Sequence, residues 1–156
     1  MQAPQQIEPK RPGDYLEQMS EIVFQTGISW KVVDNKWPGT RDAFREFEAE
    51  NVAALSPDDL DELTTDIRVI RNRREIEAIV SNAQRMVDLE SEPGSFQGYL
   101  RSHGDFEATV KDLRKQFKFL GDMGAFHFLY VAGEKVPSYE DWCATRGINP
   151  GDRTRR

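Results

Sequence analysis

The stretch IRVIRNRREIEAIVSNAQRMVDLE, Ile67 to Glu90, decides what kind of fold this chain forms. Asn72 followed three residues later by Glu75 has the form of a capping box, and Ile76, Ile79, Val80, Ala83 and Val87 recur at the spacing of one helical face. That pattern is an amphipathic helix whose apolar stripe has to be covered by other elements. Its start carries Arg68, Arg71, Arg73 and Arg74. A helix N-terminus already presents free N–H groups and a partial positive charge, so guanidiniums gathered there suit a phosphate. The competing reading pairs the same arginines with the acid-rich segments 46–50 and 58–66 as surface salt bridges.

Working outward, the pattern stays helical and shows no period-2 strand. Upstream, Asp14 and Glu17 form a capping pair ahead of Tyr15, Leu16, Met19, Ile22 and Val23, with Gly27 as a left-handed stop. SWKVVDNKW, Ser29 to Trp37, is expected to form a short second helix ended by Pro38-Gly39, and Thr40 begins another. Ser56-Pro57-Asp58-Asp59 is a strong helix start, with a cap, a proline at the first helical position and acids against the dipole. Downstream, Glu92-Pro93-Gly94 closes the arginine-led helix, and helices follow over Phe96–Arg101 and Phe106–Phe117. FLGDMGAFHFLYVAG, Phe119 to Gly133, is apolar nearly all round, which marks a helix buried in the middle of a bundle. A last helix runs from Ser138 to Gly147. The expectation is an all-α, orthogonal multi-helix domain over 14–148, with a flexible lead-in at 1–13 and a flexible tail at 149–156.

The totals narrow the functions. A chain of 156 residues suits one domain. One cysteine, Cys143, excludes an internal disulfide, and two histidines, His103 and His127, argue against an all-protein zinc site, so no metal or cofactor is expected. No run reaches a membrane-spanning length and no signal peptide is seen, so a monomer in a reducing cytoplasm is expected. The net charge of −6 does not favour a general nucleic-acid binder, so any such role must rest on local charge. A second basic group, Lys111, Arg114, Lys115 and Lys118, leads into KFLGDMG, where Gly121 would let backbone N–H groups approach a phosphate.

Three segments carry a family resemblance: QTGISWKVV, then IRVIRNRREIEAIVSNAQ, then FKFLGDMGAFHFLYVAG. They resemble the DNA-3-methyladenine glycosylase I family of the helix-hairpin-helix glycosylase superfamily, which shows Q-x-G-L-S-W, I-I-R-H-R-x-K-I-x-A-I-x-x-N-A and F-K-F-V-G in that order. The resemblance covers roughly Tyr15 to Gly133. It implies the helix-hairpin-helix DNA glycosylase fold, double-stranded DNA with alkylated bases as partner, and base flipping followed by hydrolysis of the N-glycosidic bond. Work on DNA, as the resemblance implies, would place the chain in the cytoplasm at the nucleoid. Trp30 falls where the family's pocket tryptophan stacks on the flipped base, with Phe24 and Gln25 beside it; Trp37 has no counterpart and is read as packing. Arg68, Arg71, Arg73, Arg74, Lys118 and Gly121 are the expected DNA contacts.

The chain also departs from that family. The pocket glutamate expected eight residues before the tryptophan is Ile22 here. The cysteine and histidine zinc ligands and the aromatic segment Y-H-D-x-E-W-G are absent. Glu21 is adjacent to the missing glutamate, although one residue along a helix turns a side chain by about 100°. Glu140 and Asp141, in VPSYEDW, lie where much of the superfamily places a catalytic aspartate, with a helix cap from Ser138 as the plainer explanation. Glu21, Glu140 and Asp141 are therefore the candidate catalytic residues of a monofunctional N-glycosylase. The alternatives are a DNA-binding module that kept the fold and lost excision, and a helical partner-binding domain.

Overall fold

The helix expected after Asn72 forms, and the other elements are arranged around it. In the computed structural model, residues 5–91 and 95–147 are described. Among them nine α-helices follow one another: α1 (Pro12–Gln25), α2 (Trp30–Ala43), α3 (Ala49–Ala53), α4 (Pro57–Thr65), α5 (Arg73–Ser91), α6 (Phe96–Leu100), α7 (Phe106–Gln116), α8 (Asp122–Val131) and α9 (Tyr139–Thr145). The expected turn at Glu92-Pro93-Gly94 and the tail lie outside the described residues. The apolar stripe of α5 is buried as Ile76, Ile79, Val80, Ala83 and Met86, and α1, α3, α4 and α6 all pack on it. At about 25 cal/mol per Å² of apolar surface removed from water, such a stripe supplies several kcal/mol, and it explains why one helix organises the bundle.

The helix ends show which local signals prevailed. Ser56 caps α4 as expected: its Oγ accepts from Asp59 N at 3.1 Å, and the Asp59 carboxylate accepts from Ser56 N at 2.9 Å. Ser138 caps α9. Asp14 does not cap α1. Pro12, with φ preset for a helix, starts it two residues earlier, and Asp14 instead accepts from Lys10 N at 2.8 Å. The lead-in is tied down at Ile7, whose N–H donates to Val131 O at 2.8 Å. Only half of the expected box at α5 exists: Asn72 Oδ1 accepts from Glu75 N at 3.2 Å, while the Glu75 side chain turns inward to Thr26.

The largest difference is α2, which runs through Pro38-Gly39 where a stop was expected. Proline in a helix interior costs about 3 kcal/mol, and tertiary contacts offset it. Trp37 stacks on Phe47 at 5.3 Å with the planes 7° apart, and its Nε1 donates to Glu17 Oε2 at 2.9 Å. Gly39 has another use: a Cβ there would sit 2.9 Å from Arg68 Cβ, so its smallness lets the 66–68 turn lie against α2. Trp37 is thus a packing residue. Trp37→Ala is expected to destabilise the fold by about 3 kcal/mol, read as a lower urea midpoint at unchanged slope.

α7, the Phe117–Gly121 turn and α8 form a helix–hairpin–helix unit. It is held from α5 by Asn82, 2% exposed, whose Oδ1 accepts from Lys118 N at 2.8 Å while its Nδ2 donates to Lys118 O at 3.2 Å. One buried amide therefore sets the hairpin's height against α5.

Candidate active site and nucleic-acid face

Trp30 is the first residue of α2, placed there because Ser29 caps the helix by accepting from Val32 N at 3.3 Å. It is 63% exposed, the largest apolar side chain left open among the described residues. An indole so placed has a free face for a flat ligand. Four residues on, Asp34 lies on the same helical face and is hydrogen-bonded to Glu21 of α1. Burial pushes the Glu21 carboxyl up to about 8, helped by the bond to Asp34 and by the charges of Asp34 and Glu17. Two carboxyl groups this close cannot both ionise cheaply, so near neutrality the pair holds one proton and one negative charge. Asp34 thus links Glu21 of α1 to the helical face of α2 on which Trp30 stands. Sequence reasoning overlooked Asp34; its i+4 spacing from Trp30 was the available signal.

The other sequence candidates separate. Ile22, 8% exposed, is turned toward α8 instead, where a Cβ built on Gly124 would sit 3.3 Å from its Cγ2. Phe24 belongs to the core: it is 0% exposed, edge-on to Trp37 and Phe44, and has no face left for a ligand. Gln25 is half-buried in the last turn of α1. Gly27 is not left-handed, and a Cβ there would come within 3.3 Å of Glu75 Oε2. Glu140 and Asp141 stand exposed on the first turn of α9, where Asp141 N donates to Ser138 Oγ. α9 itself docks on α7 and α8 through Trp142, whose Nε1 donates to Glu107 Oε1 at 3.0 Å. Neither residue takes part in the carboxyl pair beside Trp30.

The arginines divide in two. Arg68 is forked onto Asp66 at 2.7 Å, and Arg73 pairs with Asp61 at 2.8 Å and Glu77 at 2.9 Å. Arg71 and Arg74 are exposed and make no ion pair among the described residues; Arg74 lies over the Phe119 ring at 5.9 Å, which joins the start of α5 to the hairpin. At the hairpin a cavity of about 760 Å³ is lined by Lys111, Arg114, Lys115, Gly121, Asp122 and Arg146, among others. Asp122 holds Arg114 at 2.9 Å and Arg146 at 2.7 Å, which leaves Lys111 and Lys115 without ion pairs among the described residues. Open space lies over Gly121, the N-cap of α8. Lys118 is exposed at the turn. This is a cationic surface beside free helix N–H groups, suited to phosphates. Trp30 does not line that cavity. Among the described residues no cluster of three metal-ligating side chains forms, and no helix is long and apolar enough to cross a membrane.

An all-helical domain with a braced hairpin, an open indole and a carboxyl pair has the architecture of a helix-hairpin-helix glycosylase. The sequence matches the methyladenine glycosylase family over residues 13–123, and the chain belongs to that family. It is 28% identical over 147 residues to DNA-3-methyladenine glycosylase 1 of Escherichia coli K12, covering 81% of this chain and 79% of that protein. The DNA-3-methyladenine glycosylase of Haemophilus influenzae is 30% identical over 89 residues, 57% of this chain and 48% of its own length. Among solved structures, 3-methyladenine DNA glycosylase I of Staphylococcus aureus, studied for its recognition of 3-methyladenine, superposes with a TM-score of 0.71 at 29% identity over 81% of this chain and 79% of its own.

Proposed function

We propose that this protein is a monofunctional DNA glycosylase that flips an alkylated purine such as 3-methyladenine out of duplex DNA and releases it by hydrolysis. The observation that carries the reading is the open Trp30 indole with the Glu21–Asp34 carboxyl pair on the same face. An alkylated purine nucleotide is cationic, so it is attracted to the indole's electron-rich face and to the pair's single negative charge. When the N-glycosidic bond breaks, its electrons pass to the purine nitrogen and the base leaves neutral. The positive charge then builds on the sugar, which a nearby carboxylate stabilises. Water adds to the anomeric carbon and gives up a proton, completing hydrolysis. Arg71, Arg74 and the hairpin cations hold phosphates on either side. The protein would act as a monomer in the cytoplasm, at the nucleoid.

Incubation with methylated duplex DNA tests this. Free alkylated purine and matching abasic sites are expected. A protein that binds the duplex and releases nothing would instead be a DNA-binding module, the reading that Ile22 in the glutamate position favours. The phosphate-binding groups have their own check. Arg71→Ala with Arg74→Ala should weaken duplex binding and reduce the salt slope by about 0.9 for each phosphate no longer neutralised, whereas Arg73→Ala, already paired to two acids, should leave the slope unchanged.

A further inference from the structure

The last helix, α9, lies beyond the family-matched residues 13–123, and base release as described above gives it no task. It docks beside the hairpin cavity, and what it meets there is acid. Two carboxylates line that cavity, Glu107 of α7 and Asp122 of α8. Every oxygen of both is taken. Glu107 Oε1 accepts from Trp142 Nε1 at 3.0 Å, and its Oε2 accepts from Arg146 Nη2. Asp122 Oδ1 accepts from Arg114 Nη1 at 2.9 Å, and its Oδ2 accepts from Arg146 Nη1 at 2.7 Å. All but the Arg114 bond come from Trp142 and Arg146. These two stand four residues apart and so share one side of α9. The Arg146 guanidinium also lies over the Trp142 ring, 4.6 Å from its centroid, which fixes its direction.

Glu107 has a competing partner in its own helix. Lys111 follows it by four residues on α7, and a glutamate four residues ahead of a lysine is the favoured order for a helical ion pair. That pair does not form. Glu107 is turned to α9, and Lys111 stands exposed in the cavity wall without an ion pair among the described residues. We propose that Arg146 of α9 masks the acids of the hairpin cavity and, by holding Glu107 away from Lys111, keeps that lysine free for a DNA phosphate. Glu107 is the acid that depends on it, because Asp122 keeps Arg114 in either case. Arg146 is a positioning residue. Its two Nη atoms are directed at carboxylates and its Nε is buried, so its charge is cancelled where it stands. The inference rests on the reading of the cavity as a phosphate site.

Equilibrium binding of a fluorescein-labelled duplex, followed across a salt series, tests this. Arg146→Met keeps an apolar stem against the Trp142 ring and lets Glu107 turn to Lys111. It should bind about three- to tenfold more weakly, with the salt slope reduced by about 0.9, the share of one phosphate. Lys111→Ala should lose the same amount, and the two changes together no more than either alone. Adding Glu107→Gln to Arg146→Met should restore both affinity and slope, and the gain should exceed several-fold what Glu107→Gln gives in the parent protein. Exposed ion pairs add little to stability, so the melting midpoint of Arg146→Met should stay within about 5 °C of the parent. Equal binding by Arg146→Met and the parent overturns the proposal. So does weak binding that Glu107→Gln fails to restore, which would make Arg146 itself the phosphate contact. A gain from Glu107→Gln of the same size in both backgrounds also overturns it, since Glu107 would then act only as a general negative charge. A parent protein that binds no duplex removes the phosphate site and this inference together, whereas the other contrary results remove the inference alone.

Discussion

Replacing Trp30 with alanine is expected to slow release of alkylated purine roughly tenfold to a hundredfold, the worth of about 1–3 kcal/mol of base–aromatic stacking. The same change should leave stability within about 0.5 kcal/mol, because the side chain is 63% exposed and leaves no cavity when removed. Single-turnover release on methylated duplex, with a thermal melt beside it, reads both. The contrast with Trp37 is informative: that tryptophan is stacked on Phe47 and bonded to Glu17, and its loss should destabilise rather than disarm the protein. Equal release by Trp30→Ala and the parent protein would leave the open indole without a function.

The second large effect concerns the carboxyl pair. In the proposed reaction, Asp34, hydrogen-bonded to the proton-holding Glu21, is the group that would face the departing base. Asp34→Asn is therefore expected to slow release by about a hundredfold, in line with the loss of one preorganised electrostatic group. Glu21 adds a signature in stability. Its folded pKa, about 8, lies above the ordinary 4.5, so the folded state holds the proton more tightly than the unfolded chain. This contribution is fully present below pH 4.5, declines as pH rises, and is lost above about 8. Glu21→Gln cannot ionise, so it should gain on the parent protein as pH rises, by on the order of 2 kcal/mol at pH 9 after discounting for the pair's partial exposure. Melting curves at pH 5 and pH 9 give the comparison. A gap that stays the same from pH 5 to pH 9 would mean that Glu21 ionises in the folded state as freely as in the unfolded chain.

The parts of this molecule visible in its sequence are those whose partners are near in the chain. The α5 stripe, the Ser56 and Ser138 caps and the two hairpin helices follow from spacing within one element. α2 runs against its local signal because Pro38-Gly39 ordinarily ends a helix, and what carries it through comes from Glu17, Phe47 and Arg68 on other elements. The site behaves the same way. An exposed tryptophan beside a glycine turn stands out locally, and so does the resemblance around it. The contacts that tie the elements around it together pair across the fold: Asp34 with Glu21, Thr26 with Glu75, Asn82 with Lys118. No local period marks such pairs. Glu75 even carries a false local signal, since its place after Asn72 matches a capping box that its side chain does not complete. The arginine cluster reads as a single feature in sequence, whereas the acids of α4 and α5 neutralise Arg73 and leave Arg71 and Arg74 open.

The central claim is that an alkylated purine sits on Trp30 beside Glu21 and Asp34. Titrating free 3-methyladenine into the protein and recording nuclear Overhauser effects from its methyl protons tests that claim most directly. Cross-peaks to the Trp30 indole, absent in Trp30→Ala and weakened in Asp34→Asn, are the predicted result. Methyl cross-peaks to other residues, with the Trp30 ring signals unmoved at saturating base, would contradict it.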